Sequence, residues 1–439
     1  MNDTASSFGL SRCPDVRAAV AVEDSLIQSP PGVTRRQFLN RTLAATAAAA
    51  SFNTMTAVAA ESPAAPPAPA QFKRKLKLGI IGCGGRGSWI GKFFQQHGGY
   101  EIHALADYFP EVVQAAGAAL GVESSRRFST LSGYKRVLES GIEAVALEAP
   151  PYFFPEHAQA AAAAGLHVYM AKPVAVDVPG CLQIEAAAKE AVRKRRCFFV
   201  DYQLPTEPAN QEVKRRIASE GFGKIVRLTT TGICGGFADP PLTATIESRL
   251  TKLIWVNDIA LGCDYLGNYD IHAIDAALWL VGERPVVASG FSRVARPNPH
   301  GDGHDVCAVL YEYASGLVHD HFGQGLKNFN TNDISCRVYG QTGNARVTYH
   351  GAAQFRSYDD VFNGDVGNVY DNGVVRNIAR FYQDVIEERV ENETVRRAVD
   401  GALTCILGRE AAERRQRLTM EQVLKENRRL EVDLKGLKS

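Results

Sequence analysis

Apolar and polar positions change rhythm partway along this chain. Leu76–Ile81, Glu101–Ala106, Ile142–Glu148, His167–Met170 and Cys197–Val200 are short, nearly continuous apolar runs, which predict strands covered on both faces. Between them lie helix-like stretches: Ser88–His97, the alanine-rich His157–Ala164 and a charged stretch before Cys197. Strand and helix in alternation predict an α/β domain with a doubly wound parallel sheet. From Ile225 to Tyr349 β-rich runs follow, in KIVRLTTTGI, CAVLYEYASGLVHDHFG and ISCRVYGQTGNARVTYH, with turn signals at Ala314-Ser315-Gly316 and Gln341-Thr342-Gly343. This predicts a C-terminal α+β domain with a mostly antiparallel open sheet. Near the end, NIARFYQDVIEERV and VDGALTCILGREAAERRQR are amphipathic and predict scaffold helices; no internal repeat is visible.

Residues 1–74 follow neither rhythm. TRRQFLNRTLAATAAAASFNTMTAVAA pairs Arg35-Arg36 with Phe38-Leu39, a weakly apolar stretch and the small-residue signal Ala57-Val58-Ala59. That order predicts a twin-arginine export signal over residues 1–60, read by the export machinery, and hence a periplasmic or extracellular location. Asn53, Thr54 and Thr56 break the apolar run before the roughly 20 residues a spanning helix needs. The Pro/Ala-rich stretch after it predicts a linker over residues 61–74, which leaves a dinucleotide domain at 75–205 and a substrate and oligomerisation domain at 206–439.

Composition adds exclusions. A formal charge of +1 over 439 residues gives no footprint for nucleic acid, and the basic run Arg193-Lys194-Arg195-Arg196 reads as a solvated helix end. Nine cysteines without a CxxC pair or a Cys/His grid argue against a structural zinc site and a disulfide scaffold.

The candidate chemistry begins where glycines crowd. Gly82-Cys83-Gly84-Gly85-Arg86-Gly87 fits G-x-G-x-x-G between a strand and a helix. Gly82 permits the tight turn, Gly84 lets the backbone approach a pyrophosphate, and Gly87 lets helix pack on strand, while the helix N-terminus offers unpaired N–H groups. Asp107 closes the next strand twenty residues beyond Gly87, where a carboxylate accepts from the adenosine ribose and repels a 2′-phosphate, favouring NAD over NADP. Gly85, Arg86, Pro150 and His157 are assigned to the same cofactor cleft of this Rossmann-type domain.

With GIEAVALEAPPYFFPEHAQAAAAAGLHVYMAKPVAV added to the glycine loop, the chain from about Lys75 to Lys438 resembles the Gfo/Idh/MocA oxidoreductases, a family named after glucose-fructose oxidoreductase and inositol dehydrogenase. The segment DYQLPTEPANQEVKRRI also resembles that family's domain junction, with Glu207-Pro208 in place. The resemblance implies a lysine between nicotinamide and substrate in a Glu-Lys-Pro motif; here it is Ala171-Lys172-Pro173, so Lys172 carries over and the glutamate does not. It also implies a helix bearing Asp-x-x-x-His; in LGNYDIHAIDAALWLVG the histidine is His272 and Asn268 replaces the aspartate. Helical spacing puts Asn268, His272 and Asp275 on one face. His272 is expected to remove a hydroxyl proton with Asp275 fixing its tautomer, and Lys172 to polarise the oxygen or act as acid or base.

Other clusters carry less. His300, His304 and Asp305 read as a loop entering a strand. His319 and His321 alternate along a strand and share a face, expected to be the open face of the sheet or a subunit interface. Tyr202, Tyr265 and Tyr269 are candidate sugar contacts. Export together with NAD implies a tightly bound cofactor regenerated in place. The expectation is a homo-oligomeric NAD-dependent oxidoreductase of a sugar, polyol or glycoside, joined by no metal. A redox-neutral glycosidase and a catalytically silent dinucleotide- or sugar-binding protein remain open alternatives.

Overall fold

A computed structural model describes Phe72 and residues 74–242, 245–328 and 331–439. The expected export signal, and the linker up to residue 71, lie outside the described residues. Among these residues no helix is long and apolar enough to cross a membrane.

The first domain is a six-stranded parallel sheet with spatial order β3-β2-β1-β4-β5-β6. Its strands are β1 (Leu76–Ile81), β2 (Tyr100–Asp107), β3 (Arg127–Ser129), β4 (Ala144–Leu147), β5 (His167–Met170) and β6 (Phe198–Val200). The connecting helices are α1 (Gly85–His97), α2 (Pro110–Leu120), α3 (Gly133–Leu138), α4 (Phe154–Ala163) and α5 (Val178–Arg193). In β4, β5 and β6 every residue is buried, as the unbroken apolar runs predict. The order reverses between β1 and β4, and such a switch opens a crevice beyond the carboxyl ends of the strands.

After α6 (Pro208–Ile217) the chain builds a nine-stranded sheet from β7 (Ile225–Cys234), β8 (Val287–Arg293), β9 (Val306–Glu312), β10 (Val318–Gly325), β11 (Asp333–Gly340), β12 (Asn344–Thr348), β13 (Ala352–Arg356), β14 (Val361–Asp365) and β15 (Leu418–Thr419). Its order is β14-β13-β12-β11-β7-β10-β9-β8-β15, antiparallel throughout except that β7 and β10 run parallel. Helix α7 (Ile271–Val281) packs on its inner face against β7 and β11, and α9 (Thr394–Arg414) against β8 and β9. Between these two helices in sequence, α8 (Val369–Ile386) returns to the first domain: Val374, Ile378 and Phe381 enter the core formed by Leu78, Ile80 and Phe94. The last helix is α10 (Met420–Glu426).

His319 and His321 correct the expectation of an open face. Both are buried on the helix-covered side, in a hydrogen-bonded chain from Tyr313 through His319, Thr230 and His321 to Asp270. The pairing energy of polar groups withdrawn from water explains why this face tolerates them. The open face instead shows Phe291, Leu310, Val318 and Phe322, with Phe291 and Phe322 both opposite Ala308 in one cross-strand row.

Candidate functional site

A cleft of about 790 Å³ lies at the carboxyl ends of the parallel strands. It is lined by Gly82, Gly84, Gly85, Arg86, Gly87, Asp107, Pro150, His157, Lys172 and Asn268. His272 and Asp275 do not line it.

The glycine loop has the shape a dinucleotide requires. Gly82 has φ +90°, and a Cβ on Gly87 would lie 1.8 Å from the Gly82 carbonyl oxygen, so each position needs glycine for its own reason. A Cβ on Gly84 or Gly85 would meet nothing within 4 Å; this bare backbone faces the cleft where a pyrophosphate approaches. Helix α1 starts there with no side-chain cap and no acid in its first turn, which leaves its N–H groups for an anion. Asp107 accepts from the Cys83 N–H at 2.7 Å and the Phe109 N–H at 3.0 Å. It thereby braces the loop, and each carboxylate oxygen keeps a lone pair for a ribose hydroxyl. The cleft residues therefore fit NAD. His157 is buried with Nδ1 unpartnered, and burial holds its pKa down at about 3, so it is neutral.

At the other end of the cleft stands a set of charges. Arg86 reaches Glu148 at 2.8 Å and Asp201 at 2.6 Å, and although burial opposes its charge these two acids hold it fully protonated. Burial pushes Glu148 up to about 7, against the pull of Arg86. Lys172, in the turn after β5, donates from Nζ to the Asn268 carbonyl; burial, then Arg86, pushes it down to about 7. A lysine near neutrality can hold or release a proton at physiological pH.

The second-domain residues depart from expectation in three ways. Asn268 lies in a π-helical turn, Leu266–Asp270, and serves Lys172 through its backbone carbonyl; such turns recur at functional sites. Asp275 pairs with Arg397 at 2.7 Å and is not bonded to His272, because three residues along α7 its side chain is captured by α9. His272 is buried, with Nδ1 at 2.8 Å from the Tyr349 hydroxyl and Nε2 at 3.3 Å from the Tyr370 hydroxyl. Burial drives its pKa far down, so it is a neutral ring, and Tyr370 stands between it and the cleft.

Of the tyrosines, Tyr269 lines the cleft, whereas Tyr265 donates to the Gln324 carbonyl in the core and Tyr202 is buried edge-on to His272. His304 pairs with Ser292, and Asp305 with Arg296.

Sequence reasoning missed Glu148, Asp201 and Tyr370. The first two had a signal: each is the charged residue that ends an apolar strand run, the position where a parallel sheet opens its crevice. Tyr370 had none, for it begins a helix about two hundred residues beyond Lys172.

Comparison with known proteins agrees with this geometry. Residues 76–202 match the oxidoreductase family NAD-binding Rossmann fold, and residues 214–420 match that family's C-terminal alpha/beta domain. An inositol 2-dehydrogenase of Burkholderia ambifaria is 25% identical over 284 residues, covering 62% of this chain and 74% of that protein. A levoglucosan dehydrogenase of Pseudarthrobacter phenanthrenivorans is 24% identical over 300 residues, covering 63% and 74%. The structure of an inositol dehydrogenase homolog complexed with NAD+ from Azotobacter vinelandii superposes with a TM-score of 0.67 at 17% identity, over 80% of this chain and 98% of that one.

Proposed function

We propose that this chain, which belongs to the Gfo/Idh/MocA oxidoreductase family and is an NAD-binding oxidoreductase, oxidises a secondary hydroxyl of a sugar, cyclic polyol or related glycoside. The names of its inositol and levoglucosan dehydrogenase relatives support that substrate class. The observation that carries the reading is Lys172, held by the Asn268 carbonyl in the cleft wall, where burial and the neighbouring Arg86 push its pKa down to about 7.

Bound NAD supplies the hydride acceptor. Lys172 takes the hydroxyl proton when neutral, and when protonated it stabilises charge on the same oxygen. The Tyr370 hydroxyl, whose proton burial retains, donates to a second substrate oxygen or to His272. The neutral His272 ring uses one nitrogen to donate and the other to accept between Tyr349 and Tyr370. His272 thus acts as a positioning group behind Tyr370.

Arg35-Arg36 and the segment after it support export with the cofactor already bound, which favours a redox-balanced turnover. The apolar row through Phe291, Ala308 and Phe322 supports a homo-oligomer formed through the open sheet.

Protein lacking the first sixty residues, given NAD with a panel of inositols, free sugars and glycosides, tests the reaction. Reduced nicotinamide with a keto product is the expected result. Glycoside cleavage without net reduction would replace it with a redox-neutral glycosidase, and NAD binding without turnover on any compound with a silent binding protein. Normal export of an Arg35→Lys/Arg36→Lys variant would remove the export route.

A further inference from the structure

We infer that residues 427–439 are part of the cofactor site: a strap across the adenosine end of the cleft that slows exchange of NAD. The inference rests on the dinucleotide reading of that cleft. Beyond Asn427, which ends α10 in a left-handed conformation, the sequence runs Leu430-Glu431-Val432-Asp433-Leu434-Lys435-Gly436-Leu437. Its apolar residues alternate with charged ones up to Leu434, as along a strand with one covered face, yet the segment joins neither sheet. Its covered face therefore needs another reason.

The contacts supply it. The Leu430 N–H donates to Asp177 Oδ2 at 2.8 Å, while the other oxygen of Asp177 caps α5; this is the fixed end. Val432, Leu434 and Leu437 then pack in an apolar cluster with Tyr108, Phe109, Leu131, Phe153 and Leu250. At the far end the Leu131 N–H donates to the Lys438 carbonyl at 3.0 Å, and the Lys438 N–H donates to the Tyr108 hydroxyl at 3.2 Å.

Tyr108, Phe109 and Leu131 lie within two residues of the ends of β2 and β3, beside Asp107, the residue placed to receive the adenosine ribose. Leu434 and Ser439 themselves line the cleft. The strap thus spans from Phe153 and Leu250 to Tyr108 and Leu131, all of which line the cleft, without filling it, and it is held by side chains of modest burial and three hydrogen bonds of its backbone. A ligand under it leaves only when those contacts open, so the expected effect is on rates before affinity.

The test is the dissociation rate of NADH, followed by its fluorescence as excess NAD displaces it, in the full chain and in a chain ending at Glu431. Loss of the strap is expected to speed both release and binding by at least about tenfold. Because truncation could loosen the fold, a Leu434→Ser/Leu437→Ser variant, checked for an unchanged far-ultraviolet spectrum, is measured beside it and is expected to shift the same two rates. Equal rates in all three proteins would overturn the strap while leaving the cofactor reading intact. Failure of the full chain to bind NADH would overturn the cofactor reading, and the strap with it.

Discussion

Two buried polar clusters lie on either side of the π-helical turn at Leu266–Asp270. On one side Arg86, Glu148 and Lys172 line the cleft, with Asp201 buried behind Arg86. On the other, Asp270, His321, Thr230, His319 and Tyr313 form a closed chain under the nine-stranded sheet. Both contain shifted acids: burial raises Glu148 to about 7 and Asp270 to about 6. Perturbed ionisation alone therefore does not distinguish a site from a scaffold. The difference is access. Asp270 is wedged between β7 and β10, where a Cβ on Gly232 or Gly323 would meet its carboxylate oxygens at 2.0 or 1.9 Å; no substrate reaches it. Asp270, Cys307 and His321 are the one group with metal-ligand donors among the described residues, and their hydrogen bonds to one another already account for their approach.

The sharpest break of this comparison is Lys172→Ala, expected to lower kcat by about a thousandfold, the combined scale of lost acid–base and electrostatic assistance. Steady-state kinetics with a compound turned over in the panel above would read it, and the thermal midpoint should not fall, since a disfavoured charge has been removed. His321→Ala should do the opposite. It leaves Asp270 buried without its partner and should cost about 3 kcal/mol of stability by urea unfolding, with kcat per folded molecule within about twofold. An active-site loss in His321→Ala at full stability would mean that the closed cluster is coupled to the chemistry.

A smaller effect separates the members of the open cluster by pH. Glu148 has a raised folded pKa, so its contribution is fully present below its unfolded value near 4.5 and is lost as pH rises through about 7. Lys172 has a lowered folded pKa, so the fold regains stability as pH rises from about 7 towards 10.5. The two together predict a stability minimum near neutrality. Glu148→Gln should flatten the acidic limb and Lys172→Met the alkaline one, as measured by urea midpoints from pH 5 to 10; a curve unchanged by both variants would refute the assigned shifts.

The same contrast explains what could be read from the chain. The parallel sheet was legible because burial on both faces forces unbroken apolar runs, and the glycine loop because Gly82 and Gly87 meet backbone constraints that no other residue satisfies. Lys172 was legible by motif. The pairing of His272 was not: spacing along α7 placed Asp275 beside it, but Arg397, more than a hundred residues later, takes that carboxylate. Nor could alternation say which face of β10 was covered, because a period of two gives two equivalent faces until α7 and α9 are placed. The role of Asn268 was hidden for a different reason, since it is carried by a carbonyl that every residue possesses.

That last point bears on the smallest predicted effect, at Tyr370. If His272 were the direct base, Tyr370→Phe would scarcely matter, and His272→Gln would abolish turnover. With Tyr370 standing between the ring and the cleft, Tyr370→Phe removes the hydroxyl proposed to reach substrate but leaves Lys172 on the Asn268 carbonyl. It should reduce kcat by about tenfold, the scale of one neutral hydrogen bond, and leave the NAD dissociation constant unchanged. His272→Gln should then cost no more than Tyr370→Phe, and the double variant no more than either, because the two groups act in series. Additive losses would instead place His272 against the substrate itself.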